Sequence, residues 1–184
     1  MFMKTFIKQL VKGRVCSFID AANIFYSQQT LGWRVDYKRL KLYLESECQL
    51  VSVYYYTGKV GSQVKQKRFI SRLKKLKYHV VAKEVKMIRV GKDKFVPKGN
   101  LDIELALDAY RLSDTYDCLL LFSGDSDFAY LIDLLKEKEK RVIVFSTRGH
   151  ISRELLERAK YIDLRKLRKF IELKNQEAKR PPEV

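Results

Sequence analysis

Residues 118–128 read CLLLFSGDSDF. The first five of these residues are apolar throughout, and a run of this length is typical of a strand buried in a sheet. Two carboxylates, Asp125 and Asp127, follow where the run ends, and Gly124 before them permits a tight turn. This stretch therefore predicts a buried strand whose carboxyl end presents a pair of acidic side chains.

Apolar strands and amphipathic helices alternate along the rest of the chain. Strands that are apolar throughout and alternate with helices indicate a mainly parallel sheet covered on both faces, in a three-layer α/β/α arrangement. In such sheets, ligands bind beyond the carboxyl ends of the strands. The patterns predict strands at 15–19, 50–56, 78–82, 118–122 and 141–145, a hairpin over 86–96, and helices at 36–47, 62–77, 100–113, 126–138, 152–160 and 165–174.

The composition predicts one folded domain. The chain has 184 residues, of which 46% are hydrophobic and 12% aromatic, and this suffices for a single core. We expect that core within residues 13–174, with a helical extension at 1–12 and a flexible tail at 175–184. An apolar stripe along the extension predicts a cap on the domain or a contact within a homodimer in preference to the alternative, an anchor on a membrane surface.

Hydropathy and cysteine usage indicate a cytoplasmic protein. No apolar run approaches the ~20 residues that a transmembrane helix needs, and the first residues do not read as a secretory signal. The three cysteines form no CxxC pair and each lies among apolar residues, so we expect buried thiols in a reducing compartment. Only two histidines are present, which leaves little for a zinc site or a catalytic triad.

The formal net charge of +16 is unevenly distributed. Residues 59–98 contain 14 Lys or Arg and two acids, a net charge of +12, whereas residues 100–139 contain ten acids and three bases, a net charge of −7. Solvated faces would produce such a pattern, and so would an enzyme that gathers phosphates with lysines and holds cations with carboxylates.

The predicted helix at 62–77 is strongly basic and contains no acid. A solvated helix normally includes acids for balance, so phosphate binding is the favoured interpretation. Trp33, in a predicted loop, is a candidate for stacking on a base, whereas the tyrosines at 54–56 are expected in the core. The candidate nucleic-acid-binding residues are Lys65, Lys67, Arg68, Arg72, Lys74, Lys75, Lys77 and, from the hairpin, Lys98.

A second apolar strand also ends in an acid, Asp20. An Asp at the end of a buried strand is costly unless it is paired, hydrogen-bonded or bound to a cation. Asn23, one helical turn later, would orient that carboxylate or a water. Helix N-capping is the alternative for Asp20 and for the 123–127 turn. The turn has more oxygen donors than capping needs, so we expect capping combined with Mg²⁺ or Mn²⁺ binding.

The predicted helix at 100–113 carries a third set of acids. On a helical wheel, Asp102 falls within the apolar stripe that contains Leu105, so it needs a reason to face inward at the start of a helix. A metal ion or a catalytic water would be that reason. Glu104 falls on the polar side with a surface role, and Asp108 lies at the border, where it would support the ligands from behind.

Three segments together resemble the NYN domains, a branch of the PIN-like nucleases that includes the LabA-like proteins. The family pattern consists of a first strand ending FIDxxN, then KGxxD, then SGDSDF, and these stand here at residues 18–23, 98–102 and 123–128. The family's SxxLxxxA stretch is also present, at 152–159. The chain has Ala21-Ala22 where many relatives carry Gly-Glu, and Lys140-Arg141 where they carry Gly-Lys.

The resemblance implies a PIN-like fold and hydrolysis of RNA phosphodiester bonds with Mg²⁺ or Mn²⁺. It also implies that Asp20, Asp102, Asp125 and Asp127 are catalytic and bind the metal, with Asn23 and Ser123 in support. No Ser, Cys or His is placed as a nucleophile beside a base, so direct attack by water is the simpler hypothesis.

Two other functions compete with this prediction. The same fold would serve as a module that binds RNA or a protein without cleavage, although a pure RNA binder gains nothing from carboxylates that face phosphate. A Toprim-like domain acting on DNA also uses a DxD at a strand end. It would require a catalytic Glu at the end of an earlier strand, where this chain has Asp20.

Overall fold

The computed structural model describes residues 7–59, 63–89, 95–98 and 101–174. Within these ranges, three short 3₁₀ turns at Ser113–Thr115, Ser126–Phe128 and Leu164–Leu167 accompany the helices and strands. The elements follow one another as β1 (Arg14–Asp20), α1 (Ala21–Leu31), α2 (Tyr37–Glu47), β2 (Gln49–Lys59), α3 (Val64–Lys75), β3 (His79–Glu84), β4 (Lys86–Arg89), β5 (Phe95–Lys98), α4 (Asp102–Arg111), β6 (Cys118–Phe122), α5 (Ala129–Glu137), β7 (Arg141–Ser146), α6 (Arg153–Arg158), β8 (Lys160–Asp163) and α7 (Arg168–Ile171).

Six strands form one parallel sheet in the order β3-β2-β1-β6-β7-β8. The connections proceed from β1 toward β3 on one side and from β6 toward β8 on the other, so the strand order reverses between β1 and β6. A crevice forms at such a point beyond the carboxyl ends of the strands, and it is the usual ligand site of this architecture. β4 and β5 form a separate antiparallel hairpin.

The two faces of the sheet carry separate hydrophobic cores, because alternate residues of each strand point to opposite sides. One core joins the sheet to α1, α2, α3 and α7, and the other joins it to α4, α5 and α6. The structure confirms the predicted three-layer α/β/α fold with a parallel central sheet. The tyrosines at 54–56 belong to these cores, as expected.

The structure differs from the predicted elements mainly near the carboxyl end of the chain. The helix predicted at 152–160 ends at Arg158, and residues 160–163 form an edge strand, β8, that the prediction omitted. Only a 3₁₀ turn and the four-residue α7 replace the helix predicted at 165–174. Trp33 lies in the loop after α1, as predicted, but it is buried in the core, so the prediction that it stacks on a base is wrong.

Several predictions concern residues that the structure describes in part. Residues 1–6 of the predicted extension, the hairpin turn at 91–93 and the predicted tail at 175–184 lie outside the described residues. Residues 7–10 form a turn, from which Ile7 is buried against the first core. Among the helices within the described ranges, none combines the length and the apolarity that a bilayer crossing requires.

Candidate functional site

The first strands on either side of the crevice, β1 and β6, end in polar side chains that contact each other. Ile19 pairs with Phe122, so Asp20 and Ser123 come next on the two strands and point to the same face of the sheet. Ser123 is fully buried and its hydroxyl donates a hydrogen bond of 3.0 Å to Asp20 Oδ2. Asp20 is only 9% exposed.

Asp20 also begins the helix that follows it. Its Oδ1 accepts hydrogen bonds from the backbone N–H groups of Ala22, at 3.0 Å, and Asn23, at 3.3 Å. The predicted N-cap is therefore present, and Asp20 lies at the carboxyl edge of the sheet outside the group of carboxylates described next. Burial raises the pKa of Asp20 above its ordinary value of 3.8, the three hydrogen bonds oppose this effect, and the nearby charge of Asp125 adds to it.

Three further carboxylates lie close to one another near the hydrogen-bonded pair of Asp20 and Ser123. One carboxylate oxygen from each of Asp102, Asp125 and Asp127 lies within 4.8 Å of the others. Asp102 occupies the first turn of α4, and the other two lie in the turn that links β6 to α5. Carboxylate oxygens from two elements, converging at this distance, are the donor set that Mg²⁺ or Mn²⁺ takes in proteins. The residues present therefore fit a hard divalent cation.

The β6–α5 turn holds its two acids in place with its own backbone. Asp125 N–H donates to Ser123 Oγ at 3.3 Å, and Asp127 N–H donates to Asp125 Oδ1 at 3.0 Å. This bond fixes one oxygen of Asp125 against the first amides of the 3₁₀ turn, as an N-cap does.

The loop that follows β7 packs directly against this turn. Ser152 N–H donates to Gly124 O at 2.9 Å, and a β-carbon at Gly124 would overlap the carbonyl group of His150 and come within 2.6 Å of Ser146 Oγ. Gly124 does not have a positive φ. The close approach of the loop, and not the turn conformation predicted from sequence, is therefore what requires glycine here.

Helix α1 lies across the carboxyl edge of the sheet. It begins at Asp20, and a hydrogen bond of 2.6 Å joins Thr30 near its other end to His150 in the loop after β7. Asn23 lies within this arrangement, where its Oδ1 accepts a 3.5 Å hydrogen bond from Ser146. The side chain of Asn23 thus links α1 to β7, while its backbone N–H donates to the N-cap residue Asp20.

The two other acids of α4 have partners outside the three-carboxylate group. Asp108 accepts hydrogen bonds from the Tyr56 hydroxyl at 3.0 Å and from Arg111 at 2.8 Å. Glu104 forms an ion pair with Lys83 of β3, which lowers the pKa of its carboxyl through that hydrogen bond. Asp108 therefore joins α4 to β2. Glu104 lies at the surface, as its position on the helical wheel predicts.

A different acid at the carboxyl edge, Asp163, is held by its neighbours. Burial raises the pKa of Asp163, but hydrogen bonds from Arg165 and Tyr161 outweigh that effect and bring the pKa to about 2. Asp163 thus has strong partners, whereas Asp20 is buried without a cationic partner in any ion pair of the described residues.

The basic helix α3 runs from one edge of the sheet to the other. The side-chain amide of Gln66 donates a 2.7 Å hydrogen bond to Gly58 O near the carboxyl end of β2, whereas the helix ends just before β3 begins. Lys65, Lys67 and Arg68 therefore lie toward the carboxylate edge, and the basic residues at the other end lie far from it. All seven predicted basic residues of this segment are exposed: Lys65, Lys67, Arg68, Arg72, Lys74, Lys75 and Lys77. The backbone of Lys98 ends β5.

Sequence reasoning missed the parts of the site that only spatial contact reveals. The loop residues Ser146 and His150, and Tyr56 beside Asp108, were not predicted. Their signal in the sequence is weak, because each lies far along the chain from the carboxylates that it supports.

Asp20→Asn is expected to raise the free energy of unfolding at neutral pH. The pKa of Asp20 is raised in the folded state, so the folded protein binds more protons than the unfolded chain between pH 3.8 and that raised pKa. The contribution of this carboxyl to stability therefore falls as pH rises through that window. Asn keeps the N-cap and does not titrate. Urea unfolding across the acid range should give a difference between variant and wild type that grows with pH and then levels off.

Asp36→Asn is the matched control for this variant. Asp36 caps α2 with hydrogen bonds to the backbone of Lys38 and Arg39, as Asp20 caps α1, but its side chain is half-exposed. Because Asp36 is not buried as Asp20 is, Asp36→Asn should not raise the free energy of unfolding at neutral pH. A pH-independent difference between Asp20→Asn and wild type would contradict the assigned cause, which is burial of the charged form.

A family model for the NYN domain matches residues 14–172. The Low amplitude and bright protein LabA of Synechococcus elongatus is 40% identical over 164 residues, which cover 86% of this chain and 88% of the relative. A crystal structure of a protein of unknown function from Vibrio parahaemolyticus superposes with a TM-score of 0.72 at 23% identity, over 88% of this chain and 97% of that one. The latter match supports the fold.

Proposed function

Because the chain belongs to the NYN domain family, we propose that it is a divalent-metal-dependent ribonuclease, which hydrolyses RNA phosphodiester bonds at the carboxyl edge of its sheet. The observation that carries this proposal is the convergence of Asp102, Asp125 and Asp127, with one oxygen of each within 4.8 Å of the others. The NYN domains are PIN-like nucleases, and an acidic cluster at the strand ends is where such an activity requires its ligands.

In this proposal the three converging carboxylates hold the cation, and Asp20 completes the ligand set from the buried side. When bound, Mg²⁺ or Mn²⁺ would polarise the scissile phosphate and assist ionisation of the attacking water. The charge of a cation would also stabilise the buried carboxylate of Asp20, which has a raised pKa without one. Asn23 and Ser123 fix the positions of α1 and of the β6–α5 turn relative to Asp20.

The nucleophile in this proposal is water. The hydroxyl of Ser123 is fully buried and its proton is directed at Asp20, so it is not available to attack a phosphate. Among the described residues, the group of side chains that could hold a metal ion consists of carboxylates alone, with no thiol or imidazole among them. Without a cation, the carboxylates would face the negative charge that develops on the phosphate during hydrolysis, which makes cleavage without metal unfavourable.

The test is cleavage of end-labelled single-stranded RNA, and of DNA of the same sequence, with Mn²⁺, Mg²⁺ or EDTA. We expect RNA to be cut with either metal and to survive in EDTA. Cleavage of DNA in preference to RNA would change the substrate class. Tight RNA binding without cleavage under any metal would contradict the enzyme and favour a binding module on the same fold.

Neutralising the carboxylate-edge end of α3 is expected to weaken RNA binding more than neutralising its other end. We propose that RNA leaving the site passes along the first turns of this helix. Replacing Lys65, Lys67 and Arg68 with Gln should lower affinity at low salt roughly tenfold and reduce the salt dependence, because fewer counterions are released. The helix is ~18 Å long, so its far end reaches only flanking RNA.

The matched variant replaces Lys74, Lys75 and Lys77 with Gln, which removes the same charge from the other end of this segment. Affinity and salt slope are measured for both variants by fluorescence anisotropy in EDTA. An equal loss from both triplets would mean that long-range charge attraction, and not a local RNA path, is responsible. A larger loss from the second triplet would contradict the proposed path.

A further inference from the structure

The first turns of α4 and α5 leave large apolar side chains in solvent beside the three carboxylates. Ile103 directly follows Asp102, and Tyr130 comes three residues after Asp127. Both Ile103 and Tyr130 are 72% exposed. Each helix buries its opposite face in the core, through Leu105 and Ala109 in α4 and through Leu131, Ile132 and Leu135 in α5.

The two helices lie side by side and run in the same direction. Their first turns meet where the carboxylates of Asp102 and Asp127 converge. Toward their other ends, Lys138 after α5 donates to Ser113 after α4 at 2.9 Å, and its Nζ lies 4.4 Å from the ring centroid of Tyr110. Ile103 and Tyr130 are therefore at the same end of one outward surface, next to the acids.

The ring of Tyr130 differs from those of the core tyrosines in its contacts. Among the described residues it takes part in no hydrogen bond and no ring contact, whereas Tyr37, Tyr55 and Tyr78 pack against one another in the core. One exposed aromatic is ordinary on a protein surface. Here an exposed aromatic and a second exposed apolar side chain each lie within three residues of converging carboxylates, and together they offer apolar surface next to the place where a phosphate would bind.

We propose that Tyr130, with Ile103 beside it, is a platform on which a nucleobase of the substrate stacks. This inference rests on the proposed ribonuclease function and adds the side chains that would hold the RNA beside the carboxylates. A base stacks on a protein side chain only when it is free of the double helix, and aromatic stacking is the usual way in which proteins hold single strands. The stacked base would bring its adjoining phosphate to the carboxylates.

The test measures RNA binding in EDTA, so that cleavage plays no part. A fluorescein-labelled single strand of about ten nucleotides is titrated with wild type and Tyr130→Ala, and anisotropy gives the Kd. We expect Tyr130→Ala to weaken binding about 5- to 100-fold, the range that one stacked base contributes. Tyr130→Phe and Tyr130→Trp should bind like wild type, because the ring and not the hydroxyl is used. Wild type should bind the single strand more tightly than a duplex of the same sequence.

An oligonucleotide of the same length with abasic sugars separates stacking from charge. Wild type and Tyr130→Ala should bind this probe equally, because only phosphate contacts remain. Tyr110→Ala is the control variant: Tyr110 is 40% exposed on the same surface but lies toward the far end of α4, and its loss should leave the Kd unchanged.

Several outcomes would overturn the platform. They are no RNA binding by wild type, an unchanged Kd for Tyr130→Ala, and an equal loss on the abasic probe. An equal loss of affinity in Tyr110→Ala would also overturn it, because it would indicate a broad RNA contact along the helices. Failure of the proposed function looks different. RNA binding that depends on Tyr130, without cleavage under any metal, would contradict the nuclease and support the platform. Metal-dependent cleavage that Tyr130→Ala does not change would support the nuclease and contradict the platform.

Discussion

Asp125→Asn is expected to abolish metal-dependent RNA cleavage while the fold stays intact. Asp125 contributes one of the three converging carboxylates, and the substitution removes a negative charge from the ligand set. We expect kcat/KM to fall roughly a thousandfold, equivalent to ~4 kcal/mol of transition-state stabilisation, because charge stabilisation at the phosphate depends on the cation. Asn keeps the oxygen that accepts from Asp127 N–H, so the turn should survive.

Binding of the cation can be measured separately from cleavage. In the proposal Mn²⁺ binds the folded protein, so on wild type it should raise the midpoint of thermal unfolding in proportion to the logarithm of its concentration. Asp125→Asn should lose most of this shift. Asp114→Asn is the matched control, since Asp114 is exposed in a 3₁₀ turn that precedes β6 at the opposite edge of the sheet. Full activity and a full Mn²⁺ shift in Asp125→Asn would contradict the ligand assignment.

Gly124→Ala is expected to impair cleavage nearly as severely, although it adds a single methyl group. That methyl would overlap the His150 carbonyl and lie 2.6 Å from Ser146 Oγ, so either the β6–α5 turn or the loop after β7 must move. Overpacking of this kind costs about 1–3 kcal/mol of unfolding free energy. A displacement of Asp125 by about 1 Å would lower activity roughly a hundredfold, beyond any loss of folded protein.

Gly32→Ala separates the two effects. Gly32 has a φ of +69° and nothing lies within 4 Å of an added β-carbon, so alanine there strains the backbone without touching the site. We expect a comparable loss of stability, about 1–2 kcal/mol, with full activity per folded molecule. Urea unfolding and active-site-normalised cleavage are measured for both variants. If Gly124→Ala retained wild-type activity per folded molecule, the loop after β7 would have no part in positioning the acids.

The fold was predictable from the sequence because its signals are local and repeated. Strands such as 118–122 are apolar on both faces, and this happens only when helices cover both sides of a parallel sheet. The exceptions also have physical causes. β8 is four residues long, and its first residue, Lys160, is exposed, so this edge strand lacks the apolar run that identified the others.

The candidate site was predictable to a smaller extent. The acids could be found because each follows a strand or opens a helix, and Asp102 was expected to face inward from its place on the helical wheel. Their grouping could not be found in that way. The structure joins Asp102 to Asp125 and Asp127 and leaves Asp20 hydrogen-bonded beneath them, at distances that depend on how α4 packs on the sheet.

The sequence by itself determined the parallel three-layer architecture, the carboxyl edge as the place of the acids and the family of the chain. These follow from periodicity and short motifs, which are encoded within a few neighbouring residues. Tertiary structure alone decided that Gly124 is required by the loop after β7, that α3 extends away from the acids, and that Tyr130 lies beside them in solvent. Each of these depends on contacts or exposure set by the packing of distant segments, which no local pattern records.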